Sequence, residues 1–329
     1  MRKLVQRIAL VLATASSLAA AGGKFGEDAP EFPAGVFSDG RQYRLEDFRG
    51  KTVVLFFYEQ DCPRCRGSIP QRNKVVQAYK DKPVKFIAIA AGDTLSEARS
   101  YVGQTGLTMP VFIDSFSLME KRYDQTISLN NIWQFRVIGP DGKVAGYNME
   151  VNDKYLESAV AASTWKYKEQ GYDAKLNPAI DLLEWGQYEQ GMTKLRPFLK
   201  NANADVAASA QKLFEALKTE GQQWLDEAAK AESDKPILAH DLYARTAATF
   251  AGDALGDQAK ASLKATDAKQ QVQDELAARK MYESFVGAMA QSNLSNKGKL
   301  IEIGKKIVQK YPSSEVATRV NAVLTAIGA

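Results

Sequence analysis

Two cysteines and one histidine are all the thiol and imidazole ligands that the 329 residues hold. Cys62, Cys65 and His240 cannot build a multi-histidine site or a four-cysteine zinc site, and they leave a cysteine–histidine dyad without redundancy. No metal and no cofactor is therefore expected. Long apolar runs are lacking after the first 21 residues, so no later stretch reads as a membrane span. An excess of one charge is lacking as well. The formal net charge is +4, but Arg2, Lys3 and Arg7 lie in a first segment that holds no acid, and without them the balance is +1. Such a chain gives no reason to expect nucleic acid as a partner. With 45% apolar and 25% charged residues, the composition excludes a disordered or disulfide-dense scaffold. The length suits two domains.

The first segment reads as an address. Arg2, Lys3 and Arg7 precede an apolar run from Ile8 to Ala21, and Ala19-Ala20-Ala21 before Gly22 meets the small-x-small cleavage rule. The run is shorter than the roughly 20 residues that span a bilayer, and Thr14, Ser16 and Ser17 weaken it as an uncleaved anchor. No cysteine follows it to carry a lipid. Residues 1–21 are thus expected to be a secretory signal, with the mature chain periplasmic or secreted, where disulfides persist.

Residues 22–163 alternate strand and helix patterns. Gly35–Phe37, the turn at Asp39-Gly40 and Gln42–Arg44 predict a short hairpin. Thr52–Tyr58 is a β-branched and aromatic run suited to a buried central strand. A helix is expected from Pro63 to about Lys80, then a strand over Val84–Ala90. Thr94 and Glu97 form a capping box for a helix through Val102. Met109–Ile113 reads as a strand, Phe116–Tyr123 as a short helix, and Trp133–Ile138 with Lys143–Tyr147 as a terminal hairpin about Gly139-Pro140-Asp141-Gly142. The pattern describes an α/β sandwich.

From about Ser163 the strand patterns vanish. A polar linker is expected over 164–176 and an all-α domain over 177–329. Asn177-Pro178 reads as a cap followed by proline at the first helical position. Val206, Ala210, Leu213, Phe214 and Leu217 mark a helix ending near Gly221. Further amphipathic stretches cover Trp224–Ala231, Ile237–Phe250, Asp274–Met289, Leu300–Tyr311 and Glu315–Ile327. Leu183, Gly186, Tyr188 and Gly191 resemble the turn of a tetratricopeptide hairpin. Tyr243–Ala259 and Tyr311-Pro312 followed by Ala317 give weaker matches. Their irregular spacing makes any repeat degenerate, and a non-repeating bundle is the alternative.

The chemistry sits at Cys62-Pro63-Arg64-Cys65, between a buried strand and a helix. A thiol at a helix N-terminus meets free N–H groups and the positive end of the dipole, both of which favour a thiolate. Arg64 adds positive charge, and the second thiol lies one turn on, placed to attack a mixed disulfide on the first. Cys62 is expected to be the more exposed and more reactive of the two. Haem attachment would need histidine at position 66, which is Arg66. A purely structural disulfide closing so short a loop would remove only about 2 kcal/mol of unfolded-state entropy, against about 4.7 for a 100-residue loop. Redox use of Cys62 and Cys65 is the better reading.

The run from Leu45 to Phe57, then Cys62-Pro63-Arg64-Cys65 and Pro70, resembles the TlpA/ResA branch of exported thioredoxin-like proteins, which shares its fold with the alkyl hydroperoxide reductase group. Phe86–Ala90, Pro110–Asp114 and Val137–Lys143 follow in the same order. The resemblance covers about residues 27–150 and implies a thioredoxin-like sandwich there, ahead of the helical domain read separately as degenerate tetratricopeptide-like. It also implies thiol–disulfide exchange with Cys62 as nucleophile and Cys65 as resolving thiol. Protein thiols or disulfides and a redox partner would be the reactants, with protein docking on the helical domain.

Four positions depart from the family pattern. Asp61 stands where a tryptophan usually precedes the first cysteine, and its charge opposes the thiolate that Arg64 favours. Ser68 replaces a glutamate, and Phe56 replaces the buried acid of the central strand. No proline occurs between Pro110 and Pro140, so the family's cis-proline has no counterpart. Its position falls near Trp133, whose peptide bond is expected to be trans and whose indole would shield the sulfurs or offer substrate an apolar platform. A peroxidase reading is weaker, because Leu55 and Glu59 occupy the positions of its proline and its threonine or serine. Glu59 is left as a proton acceptor near Cys65 or a solvated strand-end carboxylate, and His240 as a surface or packing residue.

Two functions follow from these residues: an exported thiol–disulfide oxidoreductase, and a non-enzymatic interaction scaffold. Intact-mass measurement of the exported protein should give a chain that begins near Gly22; soluble protein retaining Met1 would overturn it.

Overall fold

The computed structural model describes residues 23–127, 134–293 and 295–329. The α/β half holds a six-stranded mixed sheet of β1 (Val36–Phe37), β2 (Thr52–Tyr58), β3 (Val84–Ala91), β4 (Val111–Asp114), β5 (Gln134–Ile138) and β6 (Val144–Gly146). Their order across the sheet is β1-β4-β3-β2-β5-β6. All seven residues of β2 are buried, as a strand with apolar side chains on both faces requires. It runs parallel to β3 and antiparallel to β5, with Phe56 between Ala88 and Phe135 and Tyr58 opposite Ala90.

Helices α1 (Pro63–Ala78), α2 (Leu95–Thr105), α3 (Leu118–Arg122) and α4 (Lys154–Ala162) complete this half. Phe56 stacks on Phe135 at 5.4 Å, and the Arg72 guanidinium of α1 stands 4.9 Å from the Phe135 ring. Phe57, on the opposite face of β2, meets Tyr123 just past α3. The capping box at Thr94 and Glu97 forms as expected, and Gly106 ends α2 at a left-handed φ of 69°.

The expected hairpin over 35–44 does not form. Val36 and Phe37 pair antiparallel with Ile113 and Phe112 instead. The reason is the Phe37 ring, which packs against Phe32, Tyr43 and Phe112 and draws the strand onto β4.

The second half is built of α5 (Asn177–Glu184), α6 (Tyr188–Leu195), α7 (Ala204–Ala231), α8 (Pro236–Thr249), α9 (Ala254–Asp267), α10 (Gln270–Ala290), α11 (Gly298–Lys310) and α12 (Glu315–Ala326). Three expectations are corrected. The helix expected to stop near Gly221 runs on to Ala231. Gly221 is there for packing, since a Cβ would sit 2.4 Å from the Phe250 ring. Asn177 caps nothing with its side chain; Asp173 instead accepts from the Lys175 N–H in the short 3-10 turn before α5. α9 was not expected. Asp253 caps it through the Leu255 N–H. At the α5–α6 turn, Gly191 lets the helices approach, a Cβ there falling 2.6 Å from Leu183.

The segment 164–176, expected as a polar linker, is tied down. Trp165, Tyr167 and Leu176 are buried. Glu184, fully buried on α5, accepts from the backbone N–H groups of Lys166, Tyr167 and Lys168 and pairs with Lys51 Nζ at 3.1 Å. Trp185 then packs edge-on to both Trp165 and Phe48. Ala34, Phe116 and Leu118 of the α/β half join the core made by α10, α11 and α12.

Removing one partner of a buried charge pair leaves the other uncompensated. Glu184→Ala should therefore cost about 3–5 kcal/mol. A denaturant midpoint unchanged from the parent protein would contradict the role given to this carboxylate.

Candidate redox site

The C-terminal end of β2 delivers the chain to α1 through Glu59, Gln60 and Asp61, and Cys62 is the residue that caps the helix. Its backbone is extended, and Pro63 takes the first helical position, where proline's missing N–H costs nothing. The Cys65 N–H donates to Cys62 Sγ at 3.1 Å. A donor thus stands where negative charge collects whenever Cys62 attacks or leaves a disulfide.

Both sulfurs are buried. Cys62 retains 4% exposure and Cys65 1%, so Cys62 is the more exposed of the two by a small margin. The Cys65 thiol is pushed up to about 12. Burial is the main cause and its hydrogen bond with Cys62 adds to it, while the backbone of Glu59 pulls the other way. Cys65 therefore holds its proton until something nearby takes it.

Asp61, Pro63 and Arg64 are exposed around the cysteines. Trp133 lies outside the described residues. Glu59 is half-buried and its carboxyl is raised, first by burial and then by Glu120 and Asp61. Ser68, where the family pattern has a glutamate, turns its hydroxyl back onto the Cys65 carbonyl at 2.7 Å. Phe56 fills the place of the central-strand acid with a fully buried ring. His240 belongs to the helical half, bracketed by Asp241 at 3.0 Å and Asp267 at 3.1 Å.

Sequence reasoning missed four residues here. Arg66 lays its guanidinium 5.4 Å from the Tyr101 ring and donates to Gln104 at 2.8 Å. Tyr101 in turn stacks on Tyr58 at 4.4 Å. Asp93, in the turn between β3 and α2, is buried and is pushed up to about 7 by burial first, then by Glu97, Asp61 and Glu59. Its signal in the sequence was an acid just before a capping box, which reads as an ordinary turn residue.

Burial of Asp93 fixes the sign of a pH effect. An unfolded aspartate ionises at about 3.9, so the folded state loses stability as pH rises from there, and the full cost stands above about 7. Asp93→Asn should accordingly raise Tm by a few degrees more at pH 8 than at pH 4. Equal effects at the two pH values would show that the carboxyl is not shifted.

The Redoxin family model matches residues 24–163. Thiol-disulfide oxidoreductase ResA of Bacillus anthracis is 30% identical over 157 residues, which is 47% of this chain and 80% of ResA. ResA of Bacillus cereus (strain ATCC 10987) is 35% identical over 123 residues, 37% of this chain and 67% of ResA. A crystal structure of a thioredoxin-family thiol:disulfide interchange protein from Chlorobium tepidum is 24% identical, with a TM-score of 0.34, over 40% of this chain and 95% of that one. With a helix-capping Cys62, a proton-retaining Cys65 and this degree of identity to ResA, the chain belongs to the ResA family of thiol-disulfide oxidoreductases.

Proposed function

We propose that the protein exchanges thiols and disulfides after export, with Cys62 as the attacking sulfur and Cys65 as the resolving one. The observation that carries this reading is the Cys65 N–H aimed at Cys62 Sγ at the start of α1. Cys62 sulfur attacks one sulfur of a substrate disulfide, and the other leaves with the bonding electron pair. Cys65 then loses its proton and attacks Cys62. The bond between Cys62 and the substrate breaks, and the second substrate sulfur departs reduced while the Cys62–Cys65 disulfide forms. The same steps in reverse oxidise a dithiol. Export is supported by the charged-apolar-small order of residues 1–21.

The helical half is assigned to docking a protein substrate or redox partner. Its support is the paired-helix packing, in which Gly191 and Gly221 bring neighbouring helices close as in tetratricopeptide hairpins. The buried Glu184–Lys51 pair would hold such a docked protein in a fixed relation to the redox half.

Trapping separates the two thiol roles. Cys65→Ser should accumulate mixed disulfides with substrate, visible by intact mass and lost on reduction, whereas Cys62→Ser should form none and should drop insulin reduction to background. Equal trapping by both variants would overturn the assignment.

A further inference from the structure

A cleft of about 770 Å³ opens between the two halves, a size that suits a small molecule. Neither cysteine lines it. One wall is apolar and comes from the α/β half. Phe32 is half-buried there, edge-on to Phe37 at 5.1 Å and tilted against Phe112 at 5.2 Å, and Val36 lines the cleft with it. The opposite wall comes from α10 and α12 and carries charge.

Most of the charged groups around the cleft already have partners. Arg279 forks onto Asp241 at 2.6 and 2.8 Å and reaches Glu275 at 3.0 Å. Glu275 also accepts from the Glu315 N–H at 2.8 Å. The Glu31 carboxylate accepts from the backbone N–H groups of Phe32 and Leu45, and Arg44 pairs with Glu46. Four charges are left over. Arg122, at the end of α3, donates to the Glu31 carbonyl but meets no carboxylate within ion-pair distance among the described residues. The Arg319 guanidinium of α12 and the carboxylates of Glu283 and Glu315 make no hydrogen bond or ion pair among the described residues. The Tyr282 hydroxyl of α10 is unpaired in the same way.

We propose that this cleft binds a small zwitterion with an apolar side group, an apolar amino acid or a dipeptide. Its carboxylate would lie toward Arg122 and Arg319, its ammonium toward Glu283 and Glu315, and its side group on Phe32. The planar fork of arginine matches a carboxylate. Burial lowers Arg122, and the like charge of Arg319 adds to the effect, so an anion set between the two guanidiniums relieves a repulsion. The Tyr282 hydroxyl, which feels Arg319, supplies a neutral donor beside them. A simple anion would also meet Glu283 and Glu315, and a simple amine would also meet the arginines. Only a ligand carrying both signs satisfies all four charges. An aromatic or branched side group would gain apolar contact on the Phe32 ring. The contacts come from both halves, so the bound ligand stabilises their attachment by mass action.

Full-length protein is titrated by calorimetry with L-phenylalanine and with glycyl-L-phenylalanine. 3-Phenylpropanoate, which lacks the ammonium, and phenethylamine, which lacks the carboxylate, serve as truncated probes. One zwitterion or both should bind saturably at a single site, and the tighter of the two identifies the amino acid or the dipeptide as the ligand class. Each truncated probe should bind about 10- to 100-fold more weakly, the scale of one lost hydrogen bond to a charged group. Arg319→Met should weaken zwitterion binding by a similar factor. Arg319 is exposed and unpaired, so the variant should fold as the parent does. Glu283→Gln should weaken the zwitterion and leave 3-phenylpropanoate unchanged, a split that a merely structural role would not produce. Failure of both zwitterions to bind saturably would overturn the site. So would 3-phenylpropanoate binding as tightly as L-phenylalanine, or unchanged affinity in folded Arg319→Met.

Discussion

A strand with apolar side chains on both faces has no side to give to water. Thr52–Tyr58 can therefore lie only in the middle of a sheet with both faces covered, and the structure puts β3 on one edge of it and β5 on the other. The redox site depends on that burial. Because β2 is fixed along its whole length, its C-terminal end is a stable point from which the chain turns into α1. The first helical turn then presents the Cys65 N–H to Cys62. Loosening Phe56 or Phe57 would move the cysteines without touching them.

The same burial explains the chemistry's asymmetry. Cys62 and Cys65 are both hidden, yet Cys62 receives a backbone donor while burial pushes the Cys65 thiol up. A sulfur held dry keeps its proton, so the fold must supply an acceptor. The central strand offers none, since Phe56 stacks on Phe135 there. Asp93, in the turn after the neighbouring strand, is a buried acid whose carboxyl burial raises.

A second buried charge decides how the two halves are joined. Glu184 gathers three backbone N–H groups and Lys51 onto one carboxylate, and the next residue, Trp185, packs against Trp165 and Phe48. The segment 164–176 has a linker's polar composition but not a linker's freedom. Ala34, Phe116 and Leu118 extend the attachment by joining the core of the last three helices.

Local chemistry was legible in the sequence wherever one segment carried its own instruction. The β-branched run of β2, the Thr94–Glu97 capping box, and a Cys-x-x-Cys with proline at the first helical position each specify their conformation from neighbouring residues alone. So the α/β half, its central strand and the redox pair could be read directly. Features that depend on distant partners could not. Gly221 looks like a helix stop until Phe250 is seen against it, and Phe37 looks like half of a hairpin until Phe112 claims it. Glu184 is an ordinary acid on an amphipathic helix, and Asp93 an ordinary turn residue. Tertiary structure alone made Glu184 a buried anchor and buried Asp93. Burial is a property of what surrounds a residue, and the free energy of a buried charge is set by partners that sequence spacing does not encode.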